Sequence, residues 1–260
     1  MTPSRQTALI TGAGNGIGRA IAIAMAENDR NVVCADIDLS AAETTAATIR
    51  QLGVEATALK VDVGETSEIC NMIRDIERQF GRLDILVNNA GVTRAADIME
   101  LTEADWDKIH RVNAKGVFFC LQNAAKQMIE QGNGGRIINI ASIAGRGFSG
   151  TSNAAYSASK GAVISLTRTA AQQLAKHDIT VNSICPGVTT TEIVEGLVKT
   201  RAEARGISVE AMVKEMTDNI PLKRANEPED IAAMAIFLAS SGARNITGQS
   251  YNVDGGLVTS

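Results

Sequence analysis

The sequence has little of what marks nucleic-acid-binding, membrane or secreted proteins. Aromatic residues make up 3% of the 260 residues, and no basic cluster is interleaved with them, which argues against a nucleic-acid partner. No apolar run reaches membrane-spanning length, so we expect no membrane association. The chain enters a strand-like segment almost at its start, which predicts no signal peptide and a cytoplasmic protein.

Cysteine and histidine are too few and too scattered to build a disulfide or metal framework. The four cysteines lie far apart without a CxxC spacing, so we expect reduced thiols. They are Cys34, Cys70, Cys120 and Cys185. The two histidines, His110 and His177, have no acid–base partner at a suitable spacing, and we expect structural or solvated roles and no metal site.

Short apolar runs alternate with longer amphipathic stretches along the whole chain. The predicted strands are 7–11, 31–36, 56–62, 83–88, 135–141, 179–184 and 249–253. The predicted helices lie near 17–28, 40–52, 66–79, 103–130, 154–176 and 229–239. Several runs are continuously apolar, as expected of strands covered on both faces. The pattern predicts a doubly wound α/β fold, with one parallel sheet of about seven strands and helices on both faces.

One section interrupts this alternation. Residues 188–225 are charged and helix-prone, and they stand between the sixth predicted strand and the last predicted helix. We expect them to form a lid over the carboxyl edge of the sheet. No repeat, low-complexity tract or linker divides the chain, so we predict one nucleotide-binding domain over residues 1–260.

A glycine-rich turn follows the first strand. The segment Thr11–Gly18 reads TGAGNGIG, and such a turn lets the backbone approach a diphosphate at a helix N-terminus. On its own it could be no more than a tight turn. Asp36 ends the second strand, 18 residues after Gly18, where a carboxylate binds a ribose diol and repels a 2′-phosphate. Because neither Asn15 nor Ile37 offers a cation, we predict NAD over NADP.

Tyr156 and Lys160 are four residues apart in a helix-prone run, so their side chains share one helix face. We expect the ammonium to stabilise the phenolate and let Tyr156 exchange a proton well below its ordinary pKa of about 10. Ser142 ends an apolar strand, and the three groups can converge on one substrate oxygen. A YxxxK pair alone also occurs by chance on surface helices.

The order of the motifs settles the family interpretation. The motifs, in chain order, are TGAGNGIG, Asp62-Val63, Asn88-Asn-Ala-Gly91, Asn113, Ser142, Tyr156-Ser-Ala-Ser-Lys160 and Pro186-Gly187. Over essentially its whole length, the chain closely resembles the short-chain dehydrogenase/reductase family. The spacing of 14 residues from Ser142 to Tyr156 is one longer than in many relatives, which affects the loop 145–153.

The resemblance implies a catalytic set. Tyr156 is implied as the general acid/base and Ser142 as the group that hydrogen-bonds the reacting oxygen. Lys160 is implied to lower the tyrosine pKa and to bind the nicotinamide ribose. Asn113 is implied to hold a water that relays protons from Lys160. From the sequence alone, Asn113 could equally be a polar residue that satisfies its own helix.

The resemblance also implies the residues that hold NAD. The phosphates would meet the glycine-rich turn, Asp36 the adenosine ribose, Asp62 and Val63 the adenine, and the two segments after strands 4 and 6 the remainder. The set is Gly12, Asn15, Gly16, Ile17, Gly18, Asp36, Asp62, Val63, Asn89, Ala90, Gly91, Tyr156, Lys160, Pro186, Gly187, Val188, Thr189 and Thr191.

The substrate stays open between two classes. The segments Ile220–Arg224 and Thr247–Gly256 are similar to those of bacterial polyol, sugar and vicinal-diol dehydrogenases, which implies oxidation of a secondary alcohol to a ketone or lactone. The same tail resembles that of 3-oxoacyl-(acyl carrier protein) reductases, and Lys199, Arg201 and Arg205 make a carrier-protein contact conceivable. An NAD-sensing module without turnover is a third hypothesis. Four polar residues near the substrate loops are candidates for selectivity: Arg94, Arg146, Asn153 and Glu192.

The two long predicted helices, 103–130 and 154–176, are apolar over wide faces. Small residues around Ala158, Ala162 and Ala170 suit close helix–helix contact between subunits. Family members commonly pair through these helices and again through the last strand. The resemblance therefore implies a homotetramer with D₂ symmetry.

Overall fold

The structure is a computed structural model that describes residues 5–148 and 152–259. Within those ranges, seven parallel strands form one sheet in the order β3-β2-β1-β4-β5-β6-β7. The strands are β1 Thr7–Thr11, β2 Asn31–Asp36, β3 Ala56–Lys60, β4 Ile85–Asn88, β5 Gly135–Ile140, β6 Ile179–Pro186 and β7 Ser250–Val253. The strand order reverses direction between β1 and β4, the position at which open α/β sheets bind ligands. The predicted doubly wound fold is confirmed.

Helices cover both faces of the sheet. They are α1 Gly16–Glu27, α2 Leu39–Arg50, α3 Thr66–Phe80, α4 Glu103–His110, α5 Val117–Gln131, α6 Ala154–Leu174, α7 Glu192–Arg205, α8 Val209–Asp218 and α9 Pro228–Ala239. Helices α1, α2 and α9 pack on one face, and α3, α5 and α6 pack on the other.

Successive residues of a strand supply opposite cores. Leu9 of β1 belongs to the core under α3 and α5, whereas Ile10 belongs to the core under α1 and α9. Both side chains are fully buried. A strand covered on both faces favours apolar residues at successive positions, as β1 shows between its terminal threonines.

The long helical region predicted over 103–130 is interrupted. Helix α4 ends at His110, a π-helix spans Arg111–Gly116, and α5 follows from Val117. Gly116 lets this wide turn pack against the segment that follows β3, because a Cβ there would lie 2.7 Å from the carbonyl oxygen of Val63. The periodicity of the sequence carries no signal for such a turn, which often occurs at functional sites.

The insertion predicted over 188–225 contains two helices, α7 and α8. They pack on each other through a small cluster of Val198, Ala202 and Met212. Its two ends are held together at the sheet: the Asn226 N–H donates to Val188 O at 2.8 Å, and the Thr190 N–H donates to Asn226 O at 2.9 Å. The insertion therefore leaves and rejoins the sheet at its carboxyl edge.

Candidate active site

The glycine-rich turn between β1 and α1 has the geometry that its sequence predicts. Gly12 has a φ of +65°, and a Cβ on Gly18 would lie 2.0 Å from the Gly12 carbonyl oxygen. Asn15 precedes α1 without making a side-chain cap, and the first turn of α1 holds no acidic residue. The first backbone N–H groups of the helix are thus available to an anion in the cleft.

The Asp36 carboxylate stands beside this turn. Its Oδ2 accepts from the Gly14 N–H at 2.8 Å, and its Oδ1 accepts from the Asp38 N–H at 3.0 Å. Each oxygen keeps a lone pair for a further donor, such as a hydroxyl. Among the described residues that line the cleft, the one lysine or arginine is Lys160.

The Asn89 side chain supports the turn from the opposite side. Its Nδ2 donates to Thr11 O and to Gly12 O, both at 3.0 Å. The Thr11 hydroxyl in turn accepts from the backbone N–H groups of Asn89, at 3.0 Å, and Ala90, at 3.1 Å. The segment after β4 is therefore fixed to the end of β1 and presents its backbone to the cleft.

Ser142 and Tyr156 meet across the cleft. Ser142 lies just beyond the end of β5 and is buried, and its hydroxyl accepts from the Ala144 N–H at 3.1 Å. Tyr156 lies in the first turn of α6, which Asn153 caps by accepting from the Tyr156 N–H at 2.8 Å. Both side chains line the same cleft, which suits contact of the two hydroxyl groups with one substrate oxygen.

The sequence predicts a lowered pKa for Tyr156, whereas the structure gives a raised one. Withdrawal of the phenol from water raises the pKa of Tyr156 above its ordinary value, and the Ser142 hydrogen bond only partly opposes this effect. The Lys160 ammonium lies 5.7 Å from the centre of the tyrosine ring. Burial of the phenol is therefore the larger of the two effects on the Tyr156 pKa.

Lys160 is almost completely buried, with 3% of its surface exposed. Its Nζ donates to Ile140 O at 2.8 Å. Burial lowers the pKa of Lys160 from 10.5 to about 8. A lysine with such a pKa gains and loses a proton readily near neutral pH.

Asn113 is buried in the π-helix, and its partners lie outside its own helix. Its Oδ1 accepts from the Val92 N–H at 2.8 Å. Its Nδ2 donates to Val92 O at 2.9 Å and to the Ser159 hydroxyl at 3.2 Å. Asn113 thus joins the segment after β4 to the helix that carries Tyr156, but it does not line the cleft.

Most of the predicted site residues line one cleft of about 390 Å³ at the carboxyl edge of the sheet. They are Gly12, Asn15, Gly16, Ile17, Asp36, Asp62, Val63, Asn89, Ala90, Gly91, Ser142, Tyr156, Lys160, Pro186, Gly187, Thr189 and Thr191. Gly18 and Val188 lie outside the lining; Gly18 instead permits the close contact of α1 with Gly12.

The cleft also contains residues that sequence reasoning missed. They are Ile37, Val61, Val92, Thr93, Val112, Ile140, Ala141, Glu192 and Val194, of which Glu192 was considered only as a substrate contact. Most are apolar and follow or end a strand, so in the sequence they are indistinguishable from core residues. Their position just after polar motifs at strand ends is the one signal that could have found them.

Three of the four polar candidates near the substrate loops are engaged in the fold. Arg94 forms a two-pronged ion pair with Asp105, at 2.7 and 2.6 Å. Arg146 donates to Ser250 O at 2.5 Å, and Asn153 caps α6. Glu192, exposed at the start of α7, lines the cleft. Of the loop 145–153, residues 149–151 lie outside the described residues.

Other chemistry is sparse in the described residues. His110 stacks on Trp106, with ring centres 4.0 Å apart. The four cysteines are free, and Cys34, Cys120 and Cys185 are buried. Within residues 5–148 and 152–259, no group of histidine, cysteine or acidic side chains could hold a metal ion. In the same ranges, no helix combines the length and apolarity needed to cross a membrane.

A parallel sheet with a glycine-rich first turn, an acid after β2 and a Ser-Tyr-Lys set at one cleft defines a class of oxidoreductase. Residues 12–258 match the family model described as enoyl-(acyl carrier protein) reductase. The chain belongs to the short-chain dehydrogenase/reductase family. The resemblance inferred from the motifs is confirmed.

Similar proteins act on two kinds of substrate. The chain is 40% identical over 254 residues to 3-oxoacyl-(acyl-carrier-protein) reductase FabG of Staphylococcus epidermidis, covering 97% of this chain and 98% of that protein. It is 40% identical over 251 residues to sorbitol dehydrogenase of Cereibacter sphaeroides, covering 96% of each. The solved structure of NAD⁺-bound xylitol dehydrogenase matches with a TM-score of 0.91 and 32% identity, covering 98% of this chain and all of that one.

Proposed function

We propose that this protein is an NAD-dependent dehydrogenase that transfers hydride between a secondary alcohol and NAD⁺. The observation that carries the proposal is the shared cleft: Ser142, Tyr156 and Lys160 line the same cavity as Asp36 and the glycine-rich turn. A proton-transfer group and a ribose-binding carboxylate in one cavity suit coupled proton and hydride transfer.

The described residues fit the cofactor. A Cβ at Gly12 would lie 2.9 Å from Ala90 Cα, so glycine is required where the turn approaches the neighbouring loop. The uncapped start of α1 suits a diphosphate, and Asp36 suits a ribose diol. Without a cation near Asp36 in the cleft lining, a 2′-phosphate would meet only repulsion. The NAD⁺-bound state of a similar xylitol dehydrogenase supports the same choice.

In the proposed mechanism, Tyr156 transfers the proton. When bound, oxidised NAD supplies the hydride acceptor and a positive charge. Tyr156 would first release its own proton, and as the phenolate it would take the proton of the substrate hydroxyl while hydride passes from the hydroxyl-bearing carbon to bound NAD⁺; in reduction it would return that proton to the carbonyl oxygen. Ser142 hydrogen-bonds this oxygen as its charge develops. Lys160, with its pKa near 8, exchanges the proton onward, and Asn113 positions the segment at Val92.

We assign the substrate to polyols, sugars or vicinal diols, with a ketone or lactone as product. The sorbitol and xylitol dehydrogenases among the similar proteins support this class. The alternative is reduction of a 3-oxoacyl thioester, supported at equal identity by the staphylococcal reductase. Arg205 of the insertion is already paired with Glu215 at 3.0 Å, which weakens a basic contact surface for an acidic carrier protein there.

The test is formation of NADH with a panel of polyols, vicinal diols and sugars, run beside oxidation of NADH by 3-oxoacyl thioesters. We expect NAD⁺-dependent oxidation of at least one polyol or diol and little thioester reduction. Efficient reduction of the thioester with no alcohol oxidised would overturn the substrate assignment in favour of the alternative. Binding of NADH without turnover of either class would instead support a sensing module.

We further propose a cytoplasmic homotetramer built from one nucleotide-binding domain over residues 1–260. The free cysteines suit a reducing compartment. On α5, Phe118 is 40% exposed, and on α6, Ala158 and Ala162 are exposed, which suits pairing of these helices between subunits. Ala170 is buried within the subunit, so it is not part of the proposed interface.

A further inference from the structure

The π-helix Arg111–Gly116 contacts both ends of the cleft. Its wide turn directs Asn113 toward Val92, at the end where Tyr156 lies. Arg111 and Gly116 contact the turn that follows β3, at the other end. Because these residues are five apart, the broader π-helical turn lets both reach the same segment.

Arg111 forms two ion pairs with this turn. Its Nη2 lies 3.0 Å from Asp62 Oδ2, and its Nη1 lies 2.7 Å from Glu65 Oε1. The other oxygen of Asp62 accepts from the Gly64 N–H at 2.8 Å. The carboxylate of Asp62 is therefore held from both sides, while its side chain stays 22% exposed at the cleft.

Gly64 makes room for the guanidinium. A Cβ at Gly64 would lie 2.4 Å from Arg111 Nη1 and 2.6 Å from Cζ, so the guanidinium rests against bare backbone. Lys115, one turn further along, approaches Gly64 O at 3.5 Å. Arg111 and Lys115 of the π-helix therefore approach the same glycine of this turn.

We propose that Arg111 is a positioning residue for the adenine end of the cleft and that it acts through Asp62. This inference rests on the proposed function. A fixed carboxylate with a free lone pair on each oxygen can accept from the exocyclic amino group of a purine.

The direct probe is AMP, because it carries the adenine end of the cofactor without the nicotinamide. We expect Arg111→Gln to raise the dissociation constants of AMP and NADH about fivefold, the scale of one partly exposed charge pair. The rate at saturating cofactor should change little, so the loss falls on KM. Arg111→Lys should recover most of the affinity, because its ammonium can still pair with Asp62.

Glu65→Gln is the matched control. It removes the outer partner of Arg111 and leaves the pair with Asp62 in place, so AMP affinity should stay at the wild-type value. Calorimetry with AMP and NADH fluorescence provide the readouts, and thermal melts check folding. A loss of affinity as large in Glu65→Gln as in Arg111→Gln would show that Arg111 merely braces the loop and would overturn the proposal.

Asp62→Asn removes the other partner of the Arg111–Asp62 pair, and it keeps the proposal testable if Arg111→Gln does not fold. It should weaken AMP binding at least as much, and Arg111→Gln added to it should have no further effect. Wild-type AMP affinity in Asp62→Asn, or in a folded Arg111→Gln, would overturn this inference alone. A wild-type protein that binds neither AMP nor NADH would overturn the cofactor assignment and this inference with it.

Discussion

The backbone N–H of Gly14 donates to Oδ2 of Asp36 at 2.8 Å. This bond fastens the glycine-rich turn to the carboxyl end of β2, so the residue expected to bind ribose also shapes the turn expected to bind phosphate. A Cβ at Gly14 would lie 2.9 Å from the same oxygen, which explains why the third residue of the turn is also glycine.

Cofactor choice should depend on the charge of Asp36. We expect the wild type to prefer NAD⁺ strongly in kcat/KM. Asp36→Asn keeps one acceptor, for Gly14, and gives up the one for Asp38, so it should narrow that preference with a smaller loss of stability than Asp36→Ala. Asp36→Ala should narrow it and also lower the melting temperature, because the Gly14 bond is lost. Equal wild-type kcat/KM for NAD⁺ and NADP⁺ would refute the assignment.

Gly18 should tolerate no side chain. Gly18→Ala places a Cβ 2.0 Å from Gly12 O and 2.5 Å from Asn89 Nδ2, so we expect a loss of about 1–3 kcal/mol in stability, typical of overpacking, and weaker NADH binding. Gly196→Ala is the matched control, because that helical glycine has nothing within 4 Å. It should stabilise α7 by about 0.5–1 kcal/mol. Equal denaturation midpoints for the two variants would contradict this account.

Lys160 should impose a pH-dependent penalty on folding. Its pKa of about 8 in the folded protein is below the ordinary value of 10.5. Between these two pH values the unfolded chain binds more protons than the folded protein does. The free energy of unfolding of the wild type therefore increases as the pH rises from 8 to 10.5. Below pH 8 the penalty is fully present, about 3 kcal/mol. Lys160→Met removes it and loses the bond to Ile140 O.

Denaturation of the two proteins at pH 7 and at pH 9.5 gives the comparison. The stability of Lys160→Met relative to wild type should fall as pH rises. A relative stability that stays constant or increases would show that Lys160 is not held with a depressed pKa.

The assembly can be tested at Phe118. Sedimentation equilibrium at micromolar concentration should give four times the single-chain mass of 27.3 kDa. Phe118→Glu places a charge on the exposed face of α5 and should shift the protein toward smaller species. Wild-type protein at 27.3 kDa would refute the tetramer.

The sheet was predictable because β1, β2 and β4 each contain an uninterrupted apolar run. The predicted bounds of β1 and β2 agree with the structure, and those of β6 differ only because the strand continues through Pro186. The insertion over 188–225 was recognised by its charge, and its role as a lid stays a prediction. Gly206, with a φ of +64° between α7 and α8, is a helix-ending signal that could have divided it.

The details of the site were less predictable. The π-helix depends on contacts of Asn113 and Gly116 with segments far away in sequence, so local periodicity does not reveal it. The pKa of Tyr156 depends on how deeply the phenol is withdrawn from water, which the spacing to Lys160 does not encode. The role of Arg94 was equally hidden, because its partner Asp105 lies beyond a loop.

The central claim is that Tyr156 moves the proton in a cleft that binds NAD. The most direct measurement compares the turnover and NADH affinity of Tyr156→Phe with those of the wild type. The control variant is Tyr251→Phe, which changes the other tyrosine of the chain. Tyr156→Phe should bind NADH as wild type does, keep its melting temperature and lose at least about two orders of magnitude in rate, while Tyr251→Phe keeps its activity. Near-wild-type turnover in a folded Tyr156→Phe protein would contradict the account.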